Sequence, residues 1–322
     1  MSARPFFSAN LKVSRAPGYA SPPIGRVAPD AESDRTLPAA ITRAASAQTY
    51  LTIRTLVDRD RVLDAFRAYA YFRWVDDSVD QTVSARPERI AFVKRQQALL
   101  NACYGGAPPR DLSAEERLLA DLVRGNRADA GLKVYLRSMM AVMAFDAGRR
   151  GRLISEAELT GYTGALATAV TEAMHTFIGH DQPSPRTDAR YLAVTGAHVT
   201  HLLRDTAEDV AAGYFNVPRE VLEAHGIGPG DLDSAAYRAW VQSRVQLARA
   251  CFAAGKKNLA QVENWRCRIA GYAYTARFEA TLDAIERADY RLRAFDAGGA
   301  SWAAGLKMAW AALAQTLCVE PI

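Results

Sequence analysis

The chain reads as an all-α protein, and three observations predict it. Apolar residues recur at helical spacing from Pro38 almost to the C-terminus. No stretch alternates convincingly with the two-residue period of a strand. Helix breakers gather in a few places (Gly105-Gly106 with Pro108-Pro109, Pro183 with Pro185, Gly226 through Gly230, Gly298-Gly299) and leave long segments between them. The predicted helices cover 39–58, 60–83, 87–104, 113–126, 128–148, 155–179, 187–213, 231–262, 265–293 and 300–317.

The flanks are read separately. Residues 1–38 hold Pro5, Pro17, Pro22, Pro23, Pro29 and Pro38 among Ser, Gly and Ala, and this predicts a Pro-rich arm, disordered or draped over the rest. Nothing resembling a linker interrupts the remainder of the chain, so 39–322 is expected to be a single domain. At the other end, Gly299–Cys318 is apolar but rich in Ala and broken by Lys307 and Gln315. That composition predicts a buried terminal helix, or one leaning on a membrane surface, rather than a span.

Composition narrows the function classes. Hydrophobic residues make up 49% and charged residues 23% of the chain, as in ordinary soluble proteins. The net charge of +5 comes from scattered arginines without a basic run, so nucleic acid is not an expected partner. An anionic small molecule suits that balance, as does peripheral contact with an anionic membrane. Cys103, Cys251, Cys267 and Cys318 lie far apart without metal spacing, as expected of reduced structural thiols. The N-terminus lacks the apolar run of a signal peptide, and a cytoplasmic location, with or without membrane association, is expected. Monomer and homodimer both remain open.

The chemistry is concentrated in two segments. Residues 71–80 read Tyr-Phe-Arg-Trp-Val-Asp-Asp-Ser-Val-Asp, and 204–209 read Arg-Asp-Thr-Ala-Glu-Asp. At about 100° per residue, Tyr69, Arg73, Asp76 and Asp80 share one narrow helical stripe, while His201, Asp205 and Asp209 fall within roughly 80° of one another. One Asp-x-x-x-Asp is usually the wet face of a surface helix. Here Tyr71, Phe72, Trp74, Val75 and Val79 surround the first, and Val199, Leu202, Leu203 and Val210 the second. Like charges ~4 Å apart repel by about 4 kcal/mol at an effective dielectric near 20. Acids aligned in this way call for cations between them, and magnesium is suited by its preference for carboxylate, water and phosphate oxygen. Loss of diphosphate from an allylic prenyl diphosphate fits such a site, with Phe72, Trp74, Tyr162, Met174 and Phe177 available as apolar walls around the carbocation.

At these residues the chain resembles the squalene/phytoene synthase family. Tyr-x-x-x-Arg-x-x-Asp-Asp-x-x-Asp (Tyr69 to Asp80) is similar to that family's first aspartate-rich signature. Leu-Leu-Arg-Asp-x-x-Glu-Asp, followed by Gly213 and Val217-Pro218-Arg219-Glu220, is similar to the second. Leu222 to Ile227 fits its short helix ending in His-Gly-Ile, Leu282 to Tyr290 its last common stretch, and Tyr162 its tyrosine before a small-residue segment. The resemblance covers about 42–293. It implies an isoprenoid synthase-type helical bundle around a central cavity, and head-to-head joining of two farnesyl or geranylgeranyl diphosphates.

By the same resemblance, Asp76, Asp80, Asp205 and Asp209 would hold magnesium (or manganese) and diphosphate, with Asp77 and Glu208 in support. Arg73 and Arg204 would contact diphosphate, and Tyr69 and Tyr162 would lie near the departing group. Departures stand at His198 and His201, where Gln and Asn are usual, at Asn216 and at Phe278, where tyrosines are usual. The histidines are assigned to diphosphate binding. Losing an amide and two phenols is expected to remove polar groups from the site. The edited residues leave a terpene cyclase as an alternative, and a non-catalytic assembly factor as a remote one. NADPH is left open: only a squalene product requires it, and no Gly-x-Gly-x-x-Gly follows a strand.

Overall fold

The computed structural model describes residues 31–81, 85–182, 184 and 186–292. Eleven α-helices are found among them: α1 (Ala31–Ala45), α2 (Ala47–Leu56), α3 (Val62–Gln81), α4 (Arg86–Gly105), α5 (Ala114–Gly125), α6 (Ala130–Arg149), α7 (Glu156–Phe177), α8 (Leu192–Ala211), α9 (Arg219–His225), α10 (Ala235–Leu259) and α11 (Trp265–Arg287). A 3-10 turn, Asp188–Tyr191, leads into α8. No strand is present among the described residues.

Local chemistry explains most boundaries. Ser113 with Glu116 and Ser155 with Glu158 form capping boxes that start α5 and α7. Asp129, Ser234 and Asn264 each accept a backbone N–H at the start of α6, α10 and α11. The segment expected as one helix over 39–58 is two, because the Ser46 hydroxyl caps a new start by accepting from Thr49 N at 3.1 Å. The proline boundary also moves. α1 begins at Ala31 and runs through Pro38, since one proline removes a single helical donor and the Pro38 carbonyl takes the Thr42 hydroxyl at 2.8 Å. The remaining arm prolines, Gly299–Cys318 and Cys318 lie outside the described residues.

Packing runs from α3 to α6, α6 to α7 and α7 to α8, with α10 and α11 against α8. An apolar core extends from Ile53 in α2 to Leu292 beyond α11. The contact between α8 and α10 depends on missing side chains. A Cβ on Gly196 would sit 2.9 Å from the Ala248 carbonyl, and one on Gly255 would sit 2.4 Å from Ala193 N. Close backbone approach at those crossings fixes how α8 presents its other faces. The thiols of Cys103, Cys251 and Cys267 are free and buried. No helix among the described residues is long and apolar enough to cross a membrane.

Candidate active site

The first acidic stripe lies in the C-terminal half of α3. Asp76 is buried, 2% exposed, with Arg73 Nη1 3.7 Å away. Arg73 grips Asp77 one turn on, through Nε at 2.9 Å and a second contact from Nη2. This i,i+4 pairing presets the guanidinium beside the acids. Tyr69 is buried one turn earlier, 1% exposed.

The second stripe lies on α8. Asp205 accepts from His201 Nε2 at 2.7 Å and from Arg204 through Nε at 2.6 Å and Nη2 at 2.9 Å. Burial works to raise its pKa, but His201 and Arg204 outweigh it and hold the carboxyl below its usual range. Burial also keeps His201 below an ordinary imidazole despite Asp205, so the neutral ring donates Nε2–H. His201 therefore positions Asp205 through a ring nitrogen expected from sequence to meet diphosphate. His198 is 2% exposed, neither ring nitrogen has a hydrogen-bond partner, and burial pushes its pKa well down. Its ring lies 5.2 Å from that of Tyr162.

A buried network at the end of α6 ties the two stripes together. Arg149 on α6 is 1% exposed and donates to Asp146 Oδ1 at 2.7 Å and Asn216 Oδ1 at 2.8 Å. Asn216 in turn donates to Asp209 at 2.7 Å. Tyr162 on α7 donates to Asp146 at 3.1 Å. The rings of Tyr162 and Tyr214 stand 4.9 and 5.0 Å from the Arg149 guanidinium carbon. Tyr214 then reaches across to Asp80 on α3 at 3.5 Å. Gly213 makes this return possible, with φ at +83 turning the chain back after α8. Asp80 and Asp209 thus belong to one polar assembly, although α3 and α8 are bridged by α6 and α7. Burial pushes Asp209 up to about 7, against the opposing effects of Arg149 and Asn216.

The residue-by-residue outcome is mixed. The structure joins Asp80, Asp209 and Tyr162, and places Arg73 with Asp76 and Asp77, and Arg204 and His201 with Asp205. Glu208 is half-buried on the Arg204 side. Of the expected wall residues, Phe72, Trp74 and Phe177 are linked through Tyr71 and Tyr135 within the core. Phe72 and Phe177 pack edge-on against Tyr135, and Trp74 packs against Phe92. A largely apolar cavity of about 330 Å³ lies elsewhere, between α7, α8 and α10, and includes Leu159, Gly164, Val199, Leu203, Asn216 and Trp240. Its α8 side chains sit about 100° round the helix from the acidic stripe, so Asn216 is the link between the two.

Sequence reasoning missed Asp146, Arg149 and Tyr214. The available signal was an Asp-x-x-Arg at the end of a helix otherwise buried through Met139, Met140, Val142 and Met143. It also missed Arg277 on α11, which lies near Arg204 and Asp205 and is brought down to about 10 by burial first and Arg204 next.

The tightest grouping of ligand-type side chains among the described residues is not at the stripes. Asp58, His180 and Asp181 bring such atoms within 4.8 Å of one another, beyond the opposite end of α3. Asp58 is already engaged there by Gly179 N at 2.8 Å, His180 Nδ1 at 2.7 Å and Arg266. That set clamps the α2–α3 connection onto the end of α7.

A family model for squalene/phytoene synthase matches residues 42–304. The chain belongs to that family. It is 26% identical over 194 residues to a presqualene diphosphate synthase of Rhodopseudomonas palustris, covering 60% of this chain and 66%, just under two thirds, of that protein. It is 28% identical over 255 residues to a phytoene synthase of Thermus thermophilus, covering 78% and 82%. A solved squalene synthase from Alicyclobacillus acidocaldarius superposes with a TM-score of 0.64 at 18% identity, over 81% of this chain and 95% of that one. The shared fold is the all-α isoprenoid synthase bundle.

Proposed function

We propose that this squalene/phytoene synthase family member is a metal-dependent prenyltransferase. It ionises farnesyl or geranylgeranyl diphosphate and joins two molecules head to head, to squalene, presqualene diphosphate or phytoene. The observation that carries this reading is the convergence of Asp80 and Asp209, from two separate acidic motifs, on the assembly of Arg149, Asn216 and Tyr214.

The donor set fits magnesium. Asp76, Asp80 and Asp209 offer hard oxygen, and a carboxylate as buried as Asp209 favours a divalent neighbour. Asp205 would join by releasing His201 or Arg204 from one oxygen, with Asp77 and Glu208 supporting. When bound, the metal supplies Lewis-acid neutralisation of the leaving diphosphate. Arg73 and Arg204 orient diphosphate oxygens as planar forks. Tyr69 and Tyr162, both buried, would lie near the departing group. Arg149 holds Asn216, and Asn216 holds Asp209, so that the acid does not swing during ionisation.

The test is product analysis by mass spectrometry with C15 and C20 diphosphates, each with and without NADPH, alongside Asp76→Asn and Asp205→Asn. A C30 or C40 product that both substitutions abolish is expected. A cyclic C15 or C20 product would replace the condensation with a cyclase, and unchanged turnover in both variants would remove the metal assignment.

A further inference from the structure

A phenol that the mechanism leaves without a task lies behind the second acidic motif. Tyr237, in the first turn of α10, is 0% exposed, and its hydroxyl has no hydrogen-bond partner among the described residues. Local chemistry fixes the side chain there. The Ser234 cap accepts from Tyr237 N at 3.2 Å, and the Trp240 ring packs edge-on against the phenol at 5.8 Å. A hydroxyl buried in this way has given up its hydrogen bonds to water and gained none in exchange. Phe would fill the same space without that loss, so the oxygen requires a physical reason.

The register of the two helices supplies one. α8 and α10 run antiparallel: Gly196 meets Ala248, while Gly255, further along α10, meets Ala193. With the same rise per residue in both helices, that register sets Asp209 opposite 235–239, and Tyr237 lies at the centre of that span. Electrostatics agree. Burial pushes the Tyr237 pKa up, and the Asp209 charge pushes it further. Asp209 is already supported from the turn after α8, where Asn216 donates to it at 2.7 Å and is itself held by Arg149.

We infer that Tyr237 is a further positioning residue of the site, its hydroxyl supplying an α10-side hydrogen bond to Asp209 when that carboxylate takes a metal ion. The inference rests on the metal reading proposed above. Without ligand, Asp209 is directed to Asn216 and the phenol is stranded one helix away. With ligand, two donors from different elements hold the acid in a single orientation. The hydroxyl then destabilises the unloaded protein and stabilises the loaded one, so its removal shifts stability and metal affinity in opposite directions. A phenol that only fills space would not couple the two.

Tyr237→Phe in the full chain tests this by thermal unfolding with and without magnesium and inorganic pyrophosphate. Without ligand, Tm is expected to rise by about 2 °C. The magnesium concentration that gives half of the pyrophosphate-dependent Tm shift is expected to rise about tenfold. A fall in Tm without ligand would show the hydroxyl already engaged, and an unchanged magnesium dependence would show it idle. Either result overturns the inference, while a normal response of the parent leaves the metal reading standing. A parent without any magnesium-dependent shift in the presence of pyrophosphate would overturn both.

Discussion

Replacing Arg149 by Met isolates the polar assembly that joins the two motifs. The guanidinium is 1% exposed and makes an ion pair with Asp146 at 2.7 Å, a hydrogen bond to Asn216 at 2.8 Å and contacts with the Tyr162 and Tyr214 rings. Met keeps much of the volume, so the main loss is electrostatic: Asp146, itself 1% exposed, keeps the Tyr162 hydroxyl but loses the cation that balances its buried charge. Breaking such a pair costs about 3–5 kcal/mol. At roughly 2 °C per kcal/mol for a chain of this size, the melting temperature falls by about 6–10 °C. Adding Asp146→Asn removes the unbalanced charge while keeping an acceptor for Tyr162, so the double variant recovers most of that loss.

The pH dependence carries a sign that the same reasoning fixes. Burial raises the Asp146 pKa in the folded state and Arg149 opposes the rise. Without Arg149 the folded pKa climbs further above the unfolded value, so the native state binds a proton that the unfolded state does not. Stability of Arg149→Met therefore rises relative to the parent as pH falls through the raised folded pKa. Urea titrations at several pH values measure both effects. A single variant within 1 kcal/mol of the parent, or a double variant no better than the single, would refute the account of a charge held by its partner.

Other outcomes rest on separate parts of the fold. Asn216→Leu removes the 2.7 Å support of Asp209, and the magnesium concentration for half-maximal diphosphate release is expected to rise by ~10–100-fold. Gly255→Ala drives a Cβ to 2.4 Å from the Ala193 backbone and should cost about 1–3 kcal/mol in thermal unfolding, whereas Gly164→Ala, in open space, should gain up to about 1 kcal/mol. His175 is pushed down to about 4 by burial, with Arg190 and Arg186 adding to it. Because the unfolded imidazole binds its proton first, stability falls as pH drops from about 6.5 to 4, by up to ~3 kcal/mol, and His175→Gln should flatten that limb. Asp58 and Glu116, whose folded pKa values lie below the usual carboxylate range, lose their contribution only at still lower pH.

Much of the fold was legible because it rests on local rules. The acidic stripes, the breaks at Gly105-Gly106 and Gly226, and the short helix before Ile227 each depend on residues near one another in sequence. The Ser46 break and the passage of α1 through Pro38 were harder, since a single cap or a single lost donor changes a boundary without altering periodicity. The Arg149 assembly was invisible for a different reason. Its members come from α3, α6, α7, α8 and the turn after Gly213, so only tertiary packing brings them together. The wall aromatics depend on packing in the same way: Phe72 and Phe177 have helical spacing suited to a lining or to a core, and in the structure both pack against Tyr135 on α6.

The departures at four family positions take on another meaning in three dimensions. Read in sequence, His201, Asn216 and Phe278 subtract an amide and two phenols from the neighbourhood of diphosphate. In the structure an amide and phenols are present at neighbouring positions. Asn216 supplies an amide to Asp209, and Tyr214, two residues earlier, supplies a phenol to Asp80. Tyr274, one turn before Phe278 and 4.9 Å from it between ring centres, brings a hydroxyl to the Arg204 side. His201 takes up Asp205 instead of leaving the acid to an amide neighbour. At His201, Asn216 and Phe278 the polar groups are therefore supplied from shifted positions and serve different acids, whereas the buried His198 ring offers no hydrogen bond in their place. The consequence is a site whose carboxylates are tied to protein donors before any ligand arrives, Asp209 by Asn216, Asp80 by Tyr214 and Asp205 by His201.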